Sequence, residues 1–303
     1  MKKVFITGGT GFVGSYILPL LHKEGYEIYV LVRSKERAKR LPSFCKPVLG
    51  DSTKKGEWQT YLSKADIVVN LAGQNIFSRW NESYKRLIFE SRVKSTENVV
   101  SFLKENSILI NASAIGYYGD KGDTLLTEDS PPGDDFLAKT CIEWEKEAQK
   151  AKEKGAKVII TRFGIVLGKG GMLSKILPIF KLGLGGTLGK GNQWFSWIHI
   201  EDLAQAISFL IKAQKERIYN LVSPNPVTNK DFVKTLGSIL KRPTVLPAPV
   251  FAMRLLFGEL ANVITYSVKA YPKNLLELGF KFRFENIKDA LKNLILKNEK
   301  QLV

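Results

Sequence analysis

Lys3-Val-Phe-Ile-Thr-Gly-Gly-Thr-Gly-Phe-Val-Gly14 decides the fold. Val4, Phe5 and Ile6 form a short apolar run that reads as a buried strand. A glycine cluster follows, and then Ser15-Tyr-Ile-Leu-Pro-Leu-Leu-His22, which has a helical pattern. Strand, glycine turn, helix is the context of dinucleotide binding. Gly8 and Gly9 permit a backbone turn that a Cβ would obstruct. Gly11 lets the main chain approach a diphosphate, and Gly14 lets the helix pack close to its strand. Free amides at the helix start then face the diphosphate. Gly8, Thr10, Gly11, Phe12, Val13 and Gly14 are the candidate cradle. The competing reading is a glycine-rich turn chosen only for packing.

Moving outward, Glu27-Ile-Tyr-Val-Leu-Val-Arg33 is a second strand. The residue ending this strand meets the adenosine ribose: an acid suits NAD, an arginine suits the 2′-phosphate of NADP. Arg33 and Ser34, with Arg37 a turn later, therefore favour NADP. Lys46-Pro-Val-Leu-Gly-Asp51 is a third strand. Asp51 either meets the adenine amino group or caps the turn at Ser52-Thr53. Residues 65–73 form a fourth strand closing on Leu71, Ala72 and Gly73, small enough at the end to let a coenzyme pass.

Residues 81–105 are helical in pattern, 107–113 a fifth strand, 136–154 a helix and 156–162 a sixth strand. This alternation predicts an α/β fold, a Rossmann-type doubly wound parallel sheet. Glycine density then rises between Gly164 and Gly191, which marks loops around a cleft or a lid and a change of domain. A helix over 200–211, a strand over 218–222 and a helix over 229–240 capped by Thr228 follow. The expected division is a Rossmann domain over 1–165, to which 200–222 returns. Residues 166–199 and 223–303 then make a smaller substrate-side domain, its tail mixing loops and helices around Pro243, Pro247, Pro249 and Pro272.

Composition narrows the function. The chain has 303 residues, 44% hydrophobic and 25% charged, enough for a sizeable core in a soluble protein. No apolar run approaches the ~20 residues that span a bilayer, and glycines interrupt the start too soon for a signal peptide. A cytoplasmic protein that does not engage membranes is expected. Cys45 and Cys141, with His22 and His199, are too few for a disulfide framework or a metal cluster. The net charge of +17 raises the question of nucleic acid. The lysines are scattered, with no arginine-rich block, so a solvated basic surface is expected and no nucleic-acid partner. An anionic coenzyme or small-molecule substrate would profit from the same field. No interface signature stands out.

Several stretches carry a family resemblance: Thr-Gly-Gly-Thr-Gly-Phe-Val-Gly at 7–14, Asn-Leu-Ala-Gly at 70–73, Ser-Arg-Val-Lys-Ser-Thr at 91–96, Ser-Ala-Ile-Gly-Tyr-Tyr-Gly at 113–119, Cys-Ile-Glu-Trp-Glu at 141–145, Arg-Phe-Gly-Ile-Val-Leu-Gly at 162–168 and Phe-Ser-Trp-Ile-His-Ile-Glu-Asp at 195–202. On these the chain resembles the extended short-chain dehydrogenase/reductase superfamily, and within it the atypical SDR39U-like epimerase group. The resemblance implies NADP across the carboxyl ends of the strands and a smaller C-terminal domain over the substrate. It assigns Gly8, Gly11 and Gly14 to the diphosphate, Arg33 and Ser34 to the 2′-phosphate, and Leu71, Ala72 and Gly73 to the adenosine side.

The superfamily's chemistry rests on a Tyr-x-x-x-Lys pair and a serine, the lysine holding the ribose and lowering the tyrosine's pKa. Counting back from Glu145 puts Cys141 at the lysine position and Leu137 at the tyrosine position. Lys139 lies on another helix face. Three readings follow. Tyr117 or Tyr118 supplies the proton, with Ser113 polarising the substrate; Ser113 and Tyr117 are the candidate catalytic residues. Alternatively Cys141 is a reactive thiolate, against which stands the commonness of buried helix cysteines. Or the protein binds NADP and turns over slowly or not at all, as a sensor or scaffold. Trp194, Phe195, Trp197 and His199 suit either a cleft or a buried strand, and Arg162 either an anionic substrate or a carboxylate of the fold. The function expected is NADP-dependent oxidoreduction or epimerisation of a small anionic or nucleotide-linked substrate.

Overall fold

The computed structural model describes residues 1–245, 247 and 258–296; the rest of the tail, Pro249 included, lies outside the described residues. The first half of the chain runs β1 (Lys3–Thr7), α1 (Phe12–Lys23), β2 (Glu27–Val32), α2 (Lys35–Ala38), β3 (Cys45–Leu49), α3 (Gln59–Leu62), β4 (Ile67–Asn70), α4 (Glu82–Val100), β5 (Ile108–Ala114), β6 (Leu125–Leu126) and α5 (Phe136–Gln149). The second half runs β7 (Lys157–Phe163), β8 (Ile165–Gly168), α6 (Gly171–Lys181), β9 (Trp194–Phe195), β10 (Trp197–His199), α7 (Ile200–Ala213), β11 (Ile218–Leu221), β12 (Val227–Thr228), α8 (Asn229–Leu240) and β13 (Lys269–Ala270), with short helices Leu260–Ile264 and Lys273–Glu277 and a last helix Ile287–Leu296.

Seven parallel strands in the order β11-β7-β5-β4-β1-β2-β3 form the central sheet. Its apolar strands alternate in facing. Val4, Ile6, Val30, Val69, Ile110 and Ile159 bury against the side carrying α1 and α7. Phe5, Leu31, Val68, Leu109, Val158 and Ile160 bury against the side carrying α4 and α5. The first of these clusters continues without a break through Trp197, Phe232 and Leu291, so the later part of the chain shares its core with the sheet.

Element boundaries differ from the sequence expectation for identifiable reasons. The fourth strand ends at Asn70, short of Gly73, because the Ala72 amide donates to the Thr7 hydroxyl (3.1 Å) and leaves the ladder. The helix expected over 136–154 is α-helical only to Gln149; residues 150–154 tighten into a 3-10 turn that Gly155 stops in a left-handed conformation, φ +69°. The glycine-rich run is regular structure in its first part and loop over 182–193. It contains β8 and α6, and Gly168, Gly170 and Gly171 lie flat against the Phe12 ring, where added Cβ atoms would come within 2.6–3.0 Å of it.

Candidate functional site

The carboxyl edge of the sheet carries a buried polar row. Thr7, Asn70 and Asn111 sit opposite one another on β1, β4 and β5. The Thr7 hydroxyl donates to Asn70 Oδ1 (2.6 Å), and Asn70 Nδ2 donates to Asn111 Oδ1 (2.7 Å) and Thr96 Oγ1 (2.9 Å). This row holds the ends of three strands in register where β1 turns into α1.

Gly8 makes that turn at φ +70°, and a Cβ on it would stand 2.7 Å from the Leu71 carbonyl oxygen. The loops after β1 and β4 therefore touch at this point. Gly14 packs on the glycine turn itself rather than on the strand: its Cβ would fall 2.4 Å from the Gly9 carbonyl oxygen. Gly9 fits under Val30 of β2. Gly11 precedes α1 with no side-chain cap, so the amides of Phe12, Val13 and Gly14 open the helix unsatisfied by any side chain. The glycines let the turn close this tightly, and its uncapped amides at a positive helix pole fit a diphosphate. Thr10 lies on the rim, half-buried.

Arg33 projects from the end of β2 with its side chain 51% exposed. Ser34 caps α2 by accepting from the Arg37 amide (3.3 Å), and exposed Lys35 and Arg37 stand beside it. Asp51 accepts from the Thr53 amide (2.9 Å) and hydroxyl (2.8 Å), with Arg33 Nε 4.0 Å away. Burial works against its charge, but Thr53 and Arg33 outweigh it and hold the carboxyl below its ordinary value. Of the two roles open to Asp51, the turn cap is the one the geometry displays. Leu71, Ala72 and Gly73 line the far side of the turn, and Gly73 abuts the guanidinium of Arg92.

Ser113 and the two tyrosines converge on Arg162. Arg162 is buried, its side chain 1% exposed, and forms a two-pronged pair with Glu145: Nε to Oε1 and Nη2 to Oε2, both 2.8 Å. Its choice is thus a carboxylate of the fold. Burial disfavours its charge, yet Glu145 holds its pKa above the ordinary value. Ser113 Oγ donates to the same Glu145 Oε1 (2.6 Å). Tyr118 is buried, accepts from Arg162 Nη1 (3.0 Å) and donates to Asn220 Oδ1 (2.7 Å). Burial pushes its phenol up to about 12. Glu128 closes the cluster by accepting from the amides of Asn220 and Asn274; burial nonetheless raises its pKa. Tyr117 differs. It is half-buried, its ring lies 3.4 Å under the Arg162 guanidinium, and its hydroxyl makes no hydrogen bond among the described residues.

On α5, Leu137 packs in an apolar cluster with Trp80, Phe136 and Leu260, and Lys139 is exposed. Cys141 is sealed, and burial raises its thiol to about 12, with Glu145 adding to the rise. This is the opposite of a reactive thiolate. Trp197 and His199 take the buried-strand alternative: His199 Nδ1 accepts from the Glu201 amide (3.1 Å) and caps α7, its ring stacked on Phe284 at 3.9 Å. Trp194 remains half-buried and donates to Asp123 (2.6 Å).

Two features were given no role by the sequence motifs. One is the Thr7–Asn70–Asn111 row. The other is Arg92, on the inward stripe of α4 with Ile88, Ser95, Thr96 and Val99. A cation at that spacing from buried residues was the available signal. Among the described residues, no cluster of histidine, cysteine and carboxylates could hold a metal, and no helix is long and apolar enough to cross a membrane.

Comparison with known proteins agrees with this geometry. The NAD dependent epimerase/dehydratase family model matches residues 4–221, and a domain of unknown function (DUF1731) matches residues 248–294. The chain is 39% identical to the Arabidopsis thaliana epimerase family protein SDR39U1 homolog, chloroplastic, over 96% of this chain and 86% of that protein. It is 36% identical to the epimerase family protein YfhF of Bacillus subtilis, over 96% and 97% of the two chains. Human epimerase family protein SDR39U1 (isoform2), crystallised with NADPH, superposes with a TM-score of 0.84 at 29% identity, over 96% of this chain and 98% of that one. The chain belongs to the NAD dependent epimerase/dehydratase family, in its group of SDR39U1-like epimerase family proteins.

Proposed function

We propose that this protein binds NADP(H) and catalyses oxidoreduction or epimerisation of a small anionic or nucleotide-linked substrate. The observation that carries the coenzyme is the pairing of a glycine cradle and uncapped helix start with the exposed Arg33 at the end of β2. A guanidinium flanked by Lys35 and Arg37 suits a 2′-phosphate, where a carboxylate would suit a free ribose hydroxyl. The human relative's structure with NADPH supports the same choice. When bound, the coenzyme supplies the hydride. The chain's own contribution is then to orient the ligand, exclude water and handle a proton. Tyr117 is the residue for that proton: its hydroxyl is uncommitted among the described residues, and the Arg162 guanidinium stacked on its ring fixes its position. Ser113 acts by fixing Glu145, and through it Arg162. Both cysteines are free and buried, which fits a reducing compartment such as the cytoplasm.

The test is a fluorescence titration with NADPH and NADH on the natural chain and on Arg33→Asp. NADPH should bind at least about tenfold tighter, a difference of ~1.4 kcal/mol, and the variant should lose that preference. Equal, weak binding of both coenzymes would remove the arginine argument. A second reading, an NADP-binding sensor with little turnover, is favoured by one specific observation. The positions of the superfamily's tyrosine and lysine hold Leu137 and Cys141, both packed, the first without an ionisable proton and the second raised to about 12 by burial. NADPH oxidation across a panel of carbonyl compounds separates the two, with loss of turnover in Tyr117→Phe expected for the enzyme.

A further inference from the structure

Arg162 is buried and Arg92 half-buried, and among the described residues only the first of the two is answered by an acid. Arg92 reaches inward from α4. Its Nη1 donates to the Ile88 carbonyl (3.0 Å) and its Nη2 to the Gln74 carbonyl (3.1 Å). Among the described residues no carboxylate pairs with it; its electrostatic neighbours are a thiol, Cys141, and a phenol, Tyr84. The surroundings are shaped to keep it there. Gly73 leaves the space, since a Cβ at that position would lie 3.2 Å from Arg92 Cζ, and the Trp144 ring stands with its centroid 5.3 Å from the same atom. The Gln74 amide is tied to Ser91 Oγ (2.8 Å), which fixes the loop around the guanidinium. Three of the five N–H groups of the guanidinium have no acceptor among the described residues.

The side chain is half-buried, so its remaining N–H groups are held in place yet within reach of a ligand oxygen that replaces water. The sheet order says which part of the ligand. A dinucleotide lies across the carboxyl ends of the strands, its diphosphate at the turn after β1. Arg33 marks the adenosine half, over β2 and β3. Arg92 lies on the other side of β1, between the loop after β4 and the Cys141–Trp144 face of α5. We propose that Arg92 binds the nicotinamide half of the coenzyme, donating its remaining N–H groups to ribose and phosphate oxygens. The positive charge that the superfamily carries on α5 is thereby moved to α4, opposite the inert Cys141. An arginine stays charged at any working pH, so this residue binds and positions ligand and does not exchange protons. The assignment rests on the NADP reading above.

The test measures affinities for NADPH, reduced nicotinamide mononucleotide and adenosine 2′,5′-bisphosphate, together with the melting temperature without ligand. The variants are Arg92→Gln and Arg92→Lys. Arg92→Gln should weaken NADPH and the nicotinamide mononucleotide about tenfold or more, and leave adenosine 2′,5′-bisphosphate unchanged. Arg92→Lys should fall between. Because only two hydrogen bonds to carbonyls are lost and no ion pair among the described residues, each variant should melt only a little below the natural chain. Unchanged NADPH affinity in Arg92→Gln overturns the proposal. So does equal weakening of both halves, or a variant that melts much lower or fails to fold, since each makes Arg92 a structural residue. If the natural chain itself binds neither NADPH nor adenosine 2′,5′-bisphosphate, the coenzyme reading fails, and that result is distinct from the others.

Discussion

Glu145→Ala isolates the pair at the centre of the Arg162 cluster. The natural carboxylate takes two hydrogen bonds of 2.8 Å from Arg162 and one of 2.6 Å from Ser113. Alanine leaves a guanidinium that is 1% exposed with only the Tyr118 hydroxyl at 3.0 Å and the Glu128 carbonyl at 3.4 Å, and leaves the Ser113 donor unmatched. Removing one partner of a buried pair costs about 3–5 kcal/mol. Against a total stability of roughly 5–15 kcal/mol this is a large fraction. At about 2–4 °C per kcal/mol, the melting temperature should fall by on the order of 10 °C. Urea denaturation followed by circular dichroism reads the loss. A double-mutant cycle with Arg162→Met assigns it to the pair, because replacing both partners with apolar side chains should recover most of it. A loss under about 1 kcal/mol in Glu145→Ala, or a double variant no better than the sum of the singles, would refute the view that the cost comes from leaving one buried partner unpaired.

Other outcomes follow from single sites. Gly8→Ala places a Cβ 2.7 Å from the Leu71 carbonyl oxygen at φ +70°, and should lower stability by about 1–3 kcal/mol while weakening NADPH in the same titration. Thiol labelling at neutral pH should be slow for both cysteines and become complete only in denaturant, since burial raises Cys45 to about 11 and Cys141 to about 12; rapid native labelling of Cys141 would contradict its burial. Tyr118 has a folded pKa raised from 10.0 to about 12, so its contribution is whole below pH 10 and is lost as pH climbs toward 12. Cys141, raised from 9.0, adds to the same alkaline loss. Tyr118→Phe should flatten that window by at most about 3 kcal/mol, read from denaturation midpoints at increasing pH.

What could be seen in the sequence was what depends on neighbours along the chain. The glycine cradle is legible because a left-handed Gly8 and a close approach at Gly14 are demands of a dozen consecutive residues. The strands are legible because each is a short apolar run, and Arg33 because its place is fixed by the end of β2. What was hidden depends on contacts between distant segments. Arg162 and Glu145 meet only because α5 lies against β7, so no spacing rule announces the pair. Gly168, Gly170 and Gly171 looked like loop because the ring they accommodate, Phe12, is more than a hundred and fifty residues away. Asp51 had two roles until Thr53 came within hydrogen-bond distance of it. Arg92 was visible within Ser91–Thr96, yet that no carboxylate among the described residues pairs with it depends on segments distant in the chain.

The central claim is that the edge of β1 and the end of β2 together hold a phosphorylated dinucleotide. A crystal structure of the protein grown with NADPH tests it most directly. The account predicts density along the carboxyl ends of the strands, the diphosphate on the amides of Phe12 and Val13 and the 2′-phosphate within hydrogen-bond reach of Arg33. A coenzyme bound elsewhere, or a groove left vacant at saturating NADPH, would contradict it.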